Sequence, residues 1–168
     1  MHRYKTWSGA APTTAALVTV ATGTTIKTIL QLATPSTRMI WLEEWGYSCD
    51  DPPGADSVFE LIQTDVAATV SAHVAAGVVP LDPNLPASLL TLGVSATGYN
   101  GSAEGTTTAS RLIDSPSMSS VSAEAAPFLT WSFKFDPWVA IPVSKFVRVR
   151  ATTPTTGVDM RAWIVHHE

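Results

Sequence analysis

Charged residues are scarce in this sequence, which has 168 residues of which only 14% are Asp, Glu, Lys or Arg. A typical soluble domain has about 25%. A surface with few charges is poorly protected against self-association. We therefore predict that partners cover much of the surface of this protein. The alternative is the plain, Thr-rich surface of an ordinary β-protein.

Cysteine and long apolar runs are also nearly absent. The single cysteine, Cys49, has no partner for a disulfide within the chain. No run approaches the roughly 18 apolar residues of a membrane-spanning helix, and residues 1–12 lack the apolar middle region of a signal peptide. We therefore expect synthesis in a cytoplasm and no membrane partner. The net charge of −4 argues against nucleic acid, because phosphate binding needs clustered Lys and Arg.

The residue patterns of catalytic and metal sites are missing as well. Adjacent residues of a strand point to opposite faces, so His166 and His167 are predicted to diverge in a frayed polar tail that ends at Glu168. Glu43 and Glu44 are predicted to diverge in the same way, which excludes a paired acid–base site. The clustered His and Glu ligands of a cupin enzyme are also absent. We predict no metal, no cofactor and no enzymatic activity.

The clearest pattern in the chain is the period-two alternation of residues 146–165, interrupted by Pro154 and Gly157. Such alternation on both sides of a Pro/Gly loop predicts a β-hairpin with one face on a core. The apolar face begins with Val147, Val149 and Ala151 and continues with Val158, Met160, Ala162 and Ile164. The other face, predicted to be wet or interfacial, carries Arg148, Arg150, Asp159 and Arg161.

Similar alternation elsewhere predicts eight to ten strands, with turn signals at the spacing of sandwiches and barrels. We therefore predict an all-β, antiparallel and jelly-roll-like sandwich that forms a single domain over residues 13–168. The one helix considered lies at residues 86–92, after Asn84. The segment 38–49 is apolar on both faces, which predicts a central strand or one packed against a neighbouring subunit. Three tryptophans on strand faces are predicted to belong to the core: Trp41, Trp45 and Trp131.

Residues 1–12 are predicted to form a separate N-terminal arm, because Ser8, Gly9 and Pro12 interrupt any regular element. Aromatic and Arg side chains carry much of the binding energy at interfaces. The arm is therefore predicted to make contacts outside its own sandwich through four side chains: Arg3, Tyr4, Lys5 and Trp7. The alternative is an edge strand or tail that lies on its own domain.

Four segments give the chain a resemblance to small structural proteins of tailed bacteriophages that are encoded among the head genes. They are TIKTILQLATPSTRMIWLEEWGYSCD at residues 25–50, VFELIQTD at 58–65, ATGYNGSAEGTTTASRLID at 96–114 and VRVRATTPTTGVDMRAWIVHHE at 147–168. The resemblance covers most of residues 24–168. The loops at residues 51–53 and 115–126 depart from the pattern of that group.

The resemblance implies a non-enzymatic capsid decoration protein, a β-sandwich that binds the major capsid protein on the outside of the virion and stabilises the shell. It also implies a homo-oligomer, most often a trimer, that is made in the cytoplasm of a bacterial host. The arm is then expected to contact the capsid shell or a neighbouring subunit. The alternative is a carbohydrate- or receptor-binding module of a phage head or tail fibre. An exposed aromatic platform in a groove would favour that alternative.

Overall fold

The computed structural model describes residues 1–11, 14–120 and 129–168. These residues form thirteen β-strands and one short 3-10 turn at Ala75–Gly77. The strands are β1 (Arg3–Trp7), β2 (Val20–Ala21), β3 (Lys27–Ala33), β4 (Ile40–Cys49), β5 (Ser57–Thr64), β6 (Thr69–Ala72), β7 (Val78–Pro80), β8 (Gly98–Ala103), β9 (Ser110–Asp114), β10 (Ser117–Met118), β11 (Thr130–Ile141), β12 (Phe146–Thr152) and β13 (Asp159–His167). The strands in excess of the predicted eight to ten are short ones of two or three residues.

The strands form two antiparallel sheets. Sheet A has the order β11-β4-β13-β1-β7, with β2 paired to β13. Sheet B has the order β10-β5-β12-β3-β8-β6, with β9 paired to β5. The inner faces of the two sheets share one core of buried side chains, which includes Trp45, Tyr47, Phe59, Leu30 and Val149. The predicted all-β sandwich is thereby confirmed, whereas its jelly-roll connectivity stays a prediction.

The predicted hairpin over residues 146–165 is wrong. Both of its strands exist, but β12 lies in sheet B between β3 and β5, while β13 lies in sheet A between β4 and β1. The connection at residues 153–158 therefore crosses from one sheet to the other. Alternation indicates only which side of each strand faces the core. Two successive strands that lie in opposite sheets show the same alternation as the two strands of a hairpin, so the pattern does not distinguish them.

The strand β4 has a bulge at Glu43, and this changes the interpretation of its two apolar sets. Glu44 pairs with Val165 and Leu42 pairs with His166, so one residue of β4 has no counterpart in β13. An extra residue shifts the alternation by one position. The side chains before and after the bulge consequently share the core face, namely Ile40, Leu42, Trp45, Tyr47 and Cys49. The prediction of a strand that is apolar on both faces is wrong.

The predicted separate arm over residues 1–12 is also wrong. Residues 3–7 form β1, which pairs along its whole length with β13 on one side and, over residues 4–6, with β7 on the other. Ser8 continues this attachment, because its backbone N–H donates to the carbonyl of Ala162 at 2.8 Å. The alternative, a strand on its own domain, describes β1 better, although β1 lies inside sheet A rather than at its edge. Pro12 and Thr13 lie outside the described residues.

Three smaller predictions also fail, in whole or in part. Residues 86–92 contain no helix and connect the two sheets as an irregular segment. His166 and His167 belong to β13, and they and Glu168 are buried rather than frayed. The loop predicted at residues 115–126 contains the short strand β10. Residues 121–126 of this loop lie outside the described residues.

Loops cover part of the outer face of sheet B, which contradicts the predicted exposure of Arg148. Its side chain is 1% exposed and donates to the backbone carbonyls of Val66 and Glu104 and to the Glu104 carboxylate. The same carboxylate accepts from the backbone N–H and the hydroxyl of Thr28. Burial lowers the pKa of Arg148 and Glu104 opposes this effect. Arg150, two residues along, follows the prediction and is partly exposed beside Glu60 at 2.8 Å.

Candidate functional site

The outer face of sheet A contains an aromatic and charged surface that we call the tryptophan face. The strands β11, β4, β13 and β1 lie side by side there, and their inner positions fill the core. Their outer positions carry four of the six tryptophans of the chain together with charged partners. The tryptophan face consists of Arg3, Lys5, Trp7, Trp41, Glu43, Glu44, Lys134, Trp138, Trp163 and His167.

The bulge in β4 explains why two consecutive glutamates are both available to this face. On a regular strand Glu43 and Glu44 would point to opposite sides, as the sequence predicted. The extra residue turns both toward partners of the outer face: Glu43 contacts Arg3, and Glu44 contacts Trp163. The prediction that the two carboxylates diverge is therefore wrong.

Glu43 is held by two neighbouring strands. Arg3 donates from Nε to Oε2 and from Nη2 to Oε1, both at 2.6 Å, in a bidentate pair. The Nε2 atom of His167 lies 2.9 Å from Oε2. Burial alone would raise the pKa of Glu43, but the hydrogen bonds from Arg3 and His167 outweigh it, and the pKa is lowered. Glu43 is thus a charged acceptor fixed in a planar pair, which is among the stronger kinds of protein hydrogen bond.

Lys5, Trp7 and Trp163 form a second group on the tryptophan face, in which the planes of the two indoles are tilted by 47°. The Nζ atom of Lys5 lies 4.2 Å from the Trp7 ring centroid and 5.0 Å from that of Trp163, within the range of a cation–π contact. The two indoles are 5.3 Å apart. Burial lowers the pKa of Lys5 and Glu44 opposes this effect. The Trp163 indole N–H donates to Glu44 at 2.9 Å, which fixes the ring in its plane.

Gly46 makes room for the Trp163 indole. A Cβ at this position would overlap ring atoms of Trp163 and would lie 2.6 Å from the carbonyl oxygen of Trp131. The missing side chain lets the indole lie flat on β4. Trp163 is consequently only 8% exposed although it lies on the outside of the sandwich.

Trp138 is the most exposed indole of the tryptophan face. It lies within an irregular stretch of β11, between Lys134 and Val139, where the pairing with β4 is interrupted. Its ring is stacked on His167 with centroids 3.9 Å apart and planes 15° apart, and 42% of the residue remains exposed. Through His167 it is joined to Glu43, so the indole is a rigid, exposed platform with a polar support.

The structure divides the four predicted binding residues between the two sides of β1. Arg3, Lys5 and Trp7 lie on the tryptophan face. Tyr4 is fully buried on the opposite side, where its hydroxyl donates to the carbonyl of Pro86 at 2.9 Å. The contacts that Arg3, Lys5 and Trp7 make with another chain stay a prediction, whereas Tyr4 is a core residue.

Sequence reasoning missed most of the tryptophan face. Trp41 was assigned to the core, yet it alternates with the buried Ile40 and Leu42 and is only partly buried. The signal for Trp163 was present, because it alternates with the core residues Ala162 and Ile164. The positions of Glu43 and Trp138 depend on irregular strand geometry, which period-two patterns do not report.

Chemically, the tryptophan face presents fixed acceptors and aromatic rings rather than free acids or bases. The described parts of the chain, without residues 12–13 and 121–128, hold no group of three or more His, Cys, Asp or Glu side chains placed to bind a metal ion. They also include no helix that is long and apolar enough to span a membrane. Comparisons with protein-family models, curated proteins and solved structures found no match.

Proposed function

We propose that this protein is a non-enzymatic structural protein of a bacteriophage virion, which binds the outer surface of the capsid through the tryptophan face and stabilises the shell. The observation that carries the proposal is the concentration of four tryptophans and Arg3 on one outer sheet face. The resemblance of the chain to head-associated proteins of tailed phages supplies the partner, the major capsid protein.

The composition of the tryptophan face supports a role in protein binding. Tryptophan and arginine are the residue types most enriched among those that dominate interface energies. The rings are already held by Lys5, Glu44 and His167, so little side-chain freedom is lost when a partner covers them. The exposed Trp138, and Val79 at 39% exposure on the edge strand β7, would be covered in such a complex.

Self-association belongs to the same proposal. The low charge of the chain still favours a homo-oligomer, most simply a trimer with closed symmetry. The bulge in β4 removes the other reason for expecting one, because the strand is apolar on its core face only. Light scattering at micromolar concentration tests the trimer. A monomer both in solution and on capsids would contradict it.

Co-sedimentation with capsids of the phage that encodes this chain tests the capsid proposal. We expect saturable binding at a fixed ratio to the major capsid protein. Trp138→Ala and Lys5→Glu should weaken that binding at least tenfold, because Trp138 is the exposed indole of the contact surface and Lys5 lies against two of its rings. The matched control is Phe133→Ala, which removes a ring that is 47% exposed from the same strand β11, at a position paired with Trp45 of the core.

The three possible outcomes of this experiment lead to different conclusions. Equal binding by Trp138→Ala, Lys5→Glu and the unchanged protein would contradict the tryptophan face as the capsid contact. The absence of any sedimentation with capsids would contradict the capsid role altogether. A loss of binding in Phe133→Ala alone would indicate that the capsid contact lies on the side of the edge strand β11 that faces the core.

A second candidate function, carbohydrate binding, is favoured by one observation only. Trp138 offers a flat, exposed indole that is fixed from behind by His167, and such rings stack on the apolar face of a pyranose. An array of immobilised glycans tests it. Binding that disappears in Trp138→Ala and persists in Phe133→Ala would support this function over capsid decoration.

A further inference from the structure

The segment at residues 81–92, which we call the strap, closes one end of the sandwich. It leaves β7 in sheet A, and its far end is held by a hydrogen bond from the Thr91 N–H to the carbonyl of Ala33 in sheet B at 3.1 Å. It has no helix and no regular strand. Leu90 is its main apolar anchor and is 5% exposed within the core. The strap is therefore held by a small number of individual contacts.

Glu168 supplies the strap with its only charged anchor among the described residues. The hydroxyl of Ser88 donates to Oε1 at 2.5 Å, and the backbone N–H of Leu89 donates to Oε2 at 2.8 Å. Both carboxylate oxygens are thus occupied, and the side chain is 2% exposed. Glu168 itself is tied to the sheet by two backbone hydrogen bonds of 3.0 Å with His2.

His166 lies behind this carboxylate and makes its only side-chain hydrogen bond among the described residues to it. Its Nε2 atom is 3.3 Å from Oε1 of Glu168, and the ring is fully buried against Tyr4 at 5.6 Å. A carboxylate only accepts hydrogen bonds, so Nε2 carries the hydrogen. The Nδ1 atom is buried without a partner among the described residues. A second proton on Nδ1 would be a buried donor with no acceptor, which is costly.

We propose that Glu168 is an acid-sensitive clasp: its carboxylate holds the strap across the end of the sandwich, and its protonation releases the strap while the two sheets stay folded. The clasp is a conformational device that is separate from the tryptophan face. Release would uncover Leu90 and Tyr4 and join them to strap leucines that are already exposed, Leu81 at 43% and Leu89 at 47%.

The surrounding charges set the direction of the pH response. Burial alone would raise the pKa of Glu168, but hydrogen bonds from His166, Ser88 and Leu89 outweigh it, and the pKa is lowered. Burial lowers the pKa of His166, and Glu168 opposes this effect. The other titratable groups that act on the site are His167, Tyr4 and, through Tyr4, Arg38.

Both shifts act in the same direction on stability. A carboxylate whose pKa is lowered on folding stabilises the fold above its unfolded pKa of about 4.3, and the contribution is lost as the pH falls further. A histidine whose pKa is lowered on folding begins to cost stability once the pH falls below its unfolded value of about 6.5. The strap is therefore weakened from about pH 6.5 downward and is released most strongly below about pH 4.3.

Hydrogen exchange of the full chain, followed by mass spectrometry between pH 7 and pH 3.5 and corrected for intrinsic exchange, tests the clasp. In the unchanged protein, we expect peptides of the strap to lose protection at acid pH before peptides of β4 and β13. In Glu168→Gln the strap should exchange about tenfold faster at pH 7, as expected for the loss of one hydrogen bond to a charged group. Its remaining protection should lose most of its pH dependence.

Two further variants make the experiment specific. Ser88→Ala keeps the carboxylate but removes one donor, so the pH of strap release should rise; this variant also replaces Glu168→Gln if that protein does not fold. Asp50→Asn is the matched control, because Asp50 also pairs with a residue of β13, Arg161, but near the opposite end of that strand. It should leave the pH profile of the strap unchanged. Strap exchange that occurs only together with β4, or an unchanged profile in both Glu168→Gln and Ser88→Ala, would overturn the proposal.

Discussion

The outer faces of the two sheets use charged residues in opposite ways. On sheet A, Arg3 and Glu43 pair at the surface near the exposed indole of Trp138, with 43% of the Arg3 side chain accessible. On sheet B, loops close over Arg148, which becomes part of the interior. An alternating strand pattern therefore separates inner from outer positions, but the loops decide whether an outer position meets water. Predictions that disturb each face in turn test this difference.

The largest effect is expected on the covered face of sheet B. Arg148→Met should destabilise the fold by about 3 kcal/mol or more, because it leaves Glu104 and two carbonyl acceptors without their buried donor. Arg150→Met is the matched control, since it lies on the same strand and pairs with Glu60 at the partly exposed surface. It should cost less than about 1 kcal/mol. Urea unfolding of both variants measures the contrast, and equal losses would contradict it.

The next largest effect is expected at Gly46. Gly46→Ala should cost about 2 kcal/mol, because the added methyl group overlaps the Trp163 indole and approaches the backbone of β11. Thermal unfolding measures the loss, and Trp fluorescence reports the displaced ring. The same substitution at Gly93, where the nearest atom would be 3.8 Å away, controls for crowding, although the positive φ of 153° adds strain there. A Gly46→Ala variant as stable as the unchanged protein would show that Trp163 does not pack as described.

A smaller effect is expected for the exposed pair on sheet A. Arg3→Met should cost about 1 kcal/mol at pH 7, since its bidentate geometry is good but the pair is partly solvated. Because the pKa of Glu43 is lowered in the fold, the contribution of the pair is present above about pH 4.3 and is lost as the pH falls. The stability difference between Arg3→Met and the unchanged protein should therefore shrink in acid. A difference that is independent of pH would contradict the ion pair as its cause.

The smallest effect is expected for Lys134→Ala. Its ammonium group lies 3.8 Å from Glu44, and 68% of its side chain is exposed. Such pairs contribute from nothing to about 0.5 kcal/mol. Urea unfolding should not distinguish this variant from the unchanged protein at moderate salt. A loss above about 1 kcal/mol would mean that surface pairs on the tryptophan face are stronger than solvated pairs elsewhere.

The sequence predicted the strands and their core faces well, but it was much less informative about which strands pair with each other. The alternation of Val147, Val149 and Ala151 correctly identified a core face, because a sandwich buries one side of each strand. The partner of β12 was not readable from this pattern, since pairing depends on residues distant in the chain. Arg148 and Arg150 are the same residue type at equivalent positions of the alternating pattern. Only the loop that covers Arg148 gives the two side chains different environments.

The candidate site was predictable only in part for a related reason. Arg3, Lys5 and Trp7 were chosen because aromatic and basic residues are typical of interfaces, and all three lie on one face. The error concerned what holds them: the same three residues alternate with the buried Tyr4 and Thr6, which is the signature of a strand. The bulge at Glu43 has no such signature. The extra residue moves the apolar positions from even to odd numbers within one strand, and this pattern resembles that of a strand buried on both sides.

The position of β13 between β4 and β1 has a consequence for how the protein is made. During synthesis, β1 and β4 leave the ribosome early, while the strand that joins them follows only after more than a hundred further residues. Sheet B can form most of its pairs before that moment, since β3, β5 and β12 all precede β13. The nascent chain must therefore carry the two halves of sheet A with their inner edges open, a state in which unpaired strands invite association with other chains. Pairing of β13 with both neighbours closes that gap, so the tryptophan face cannot be complete before β13 has been made.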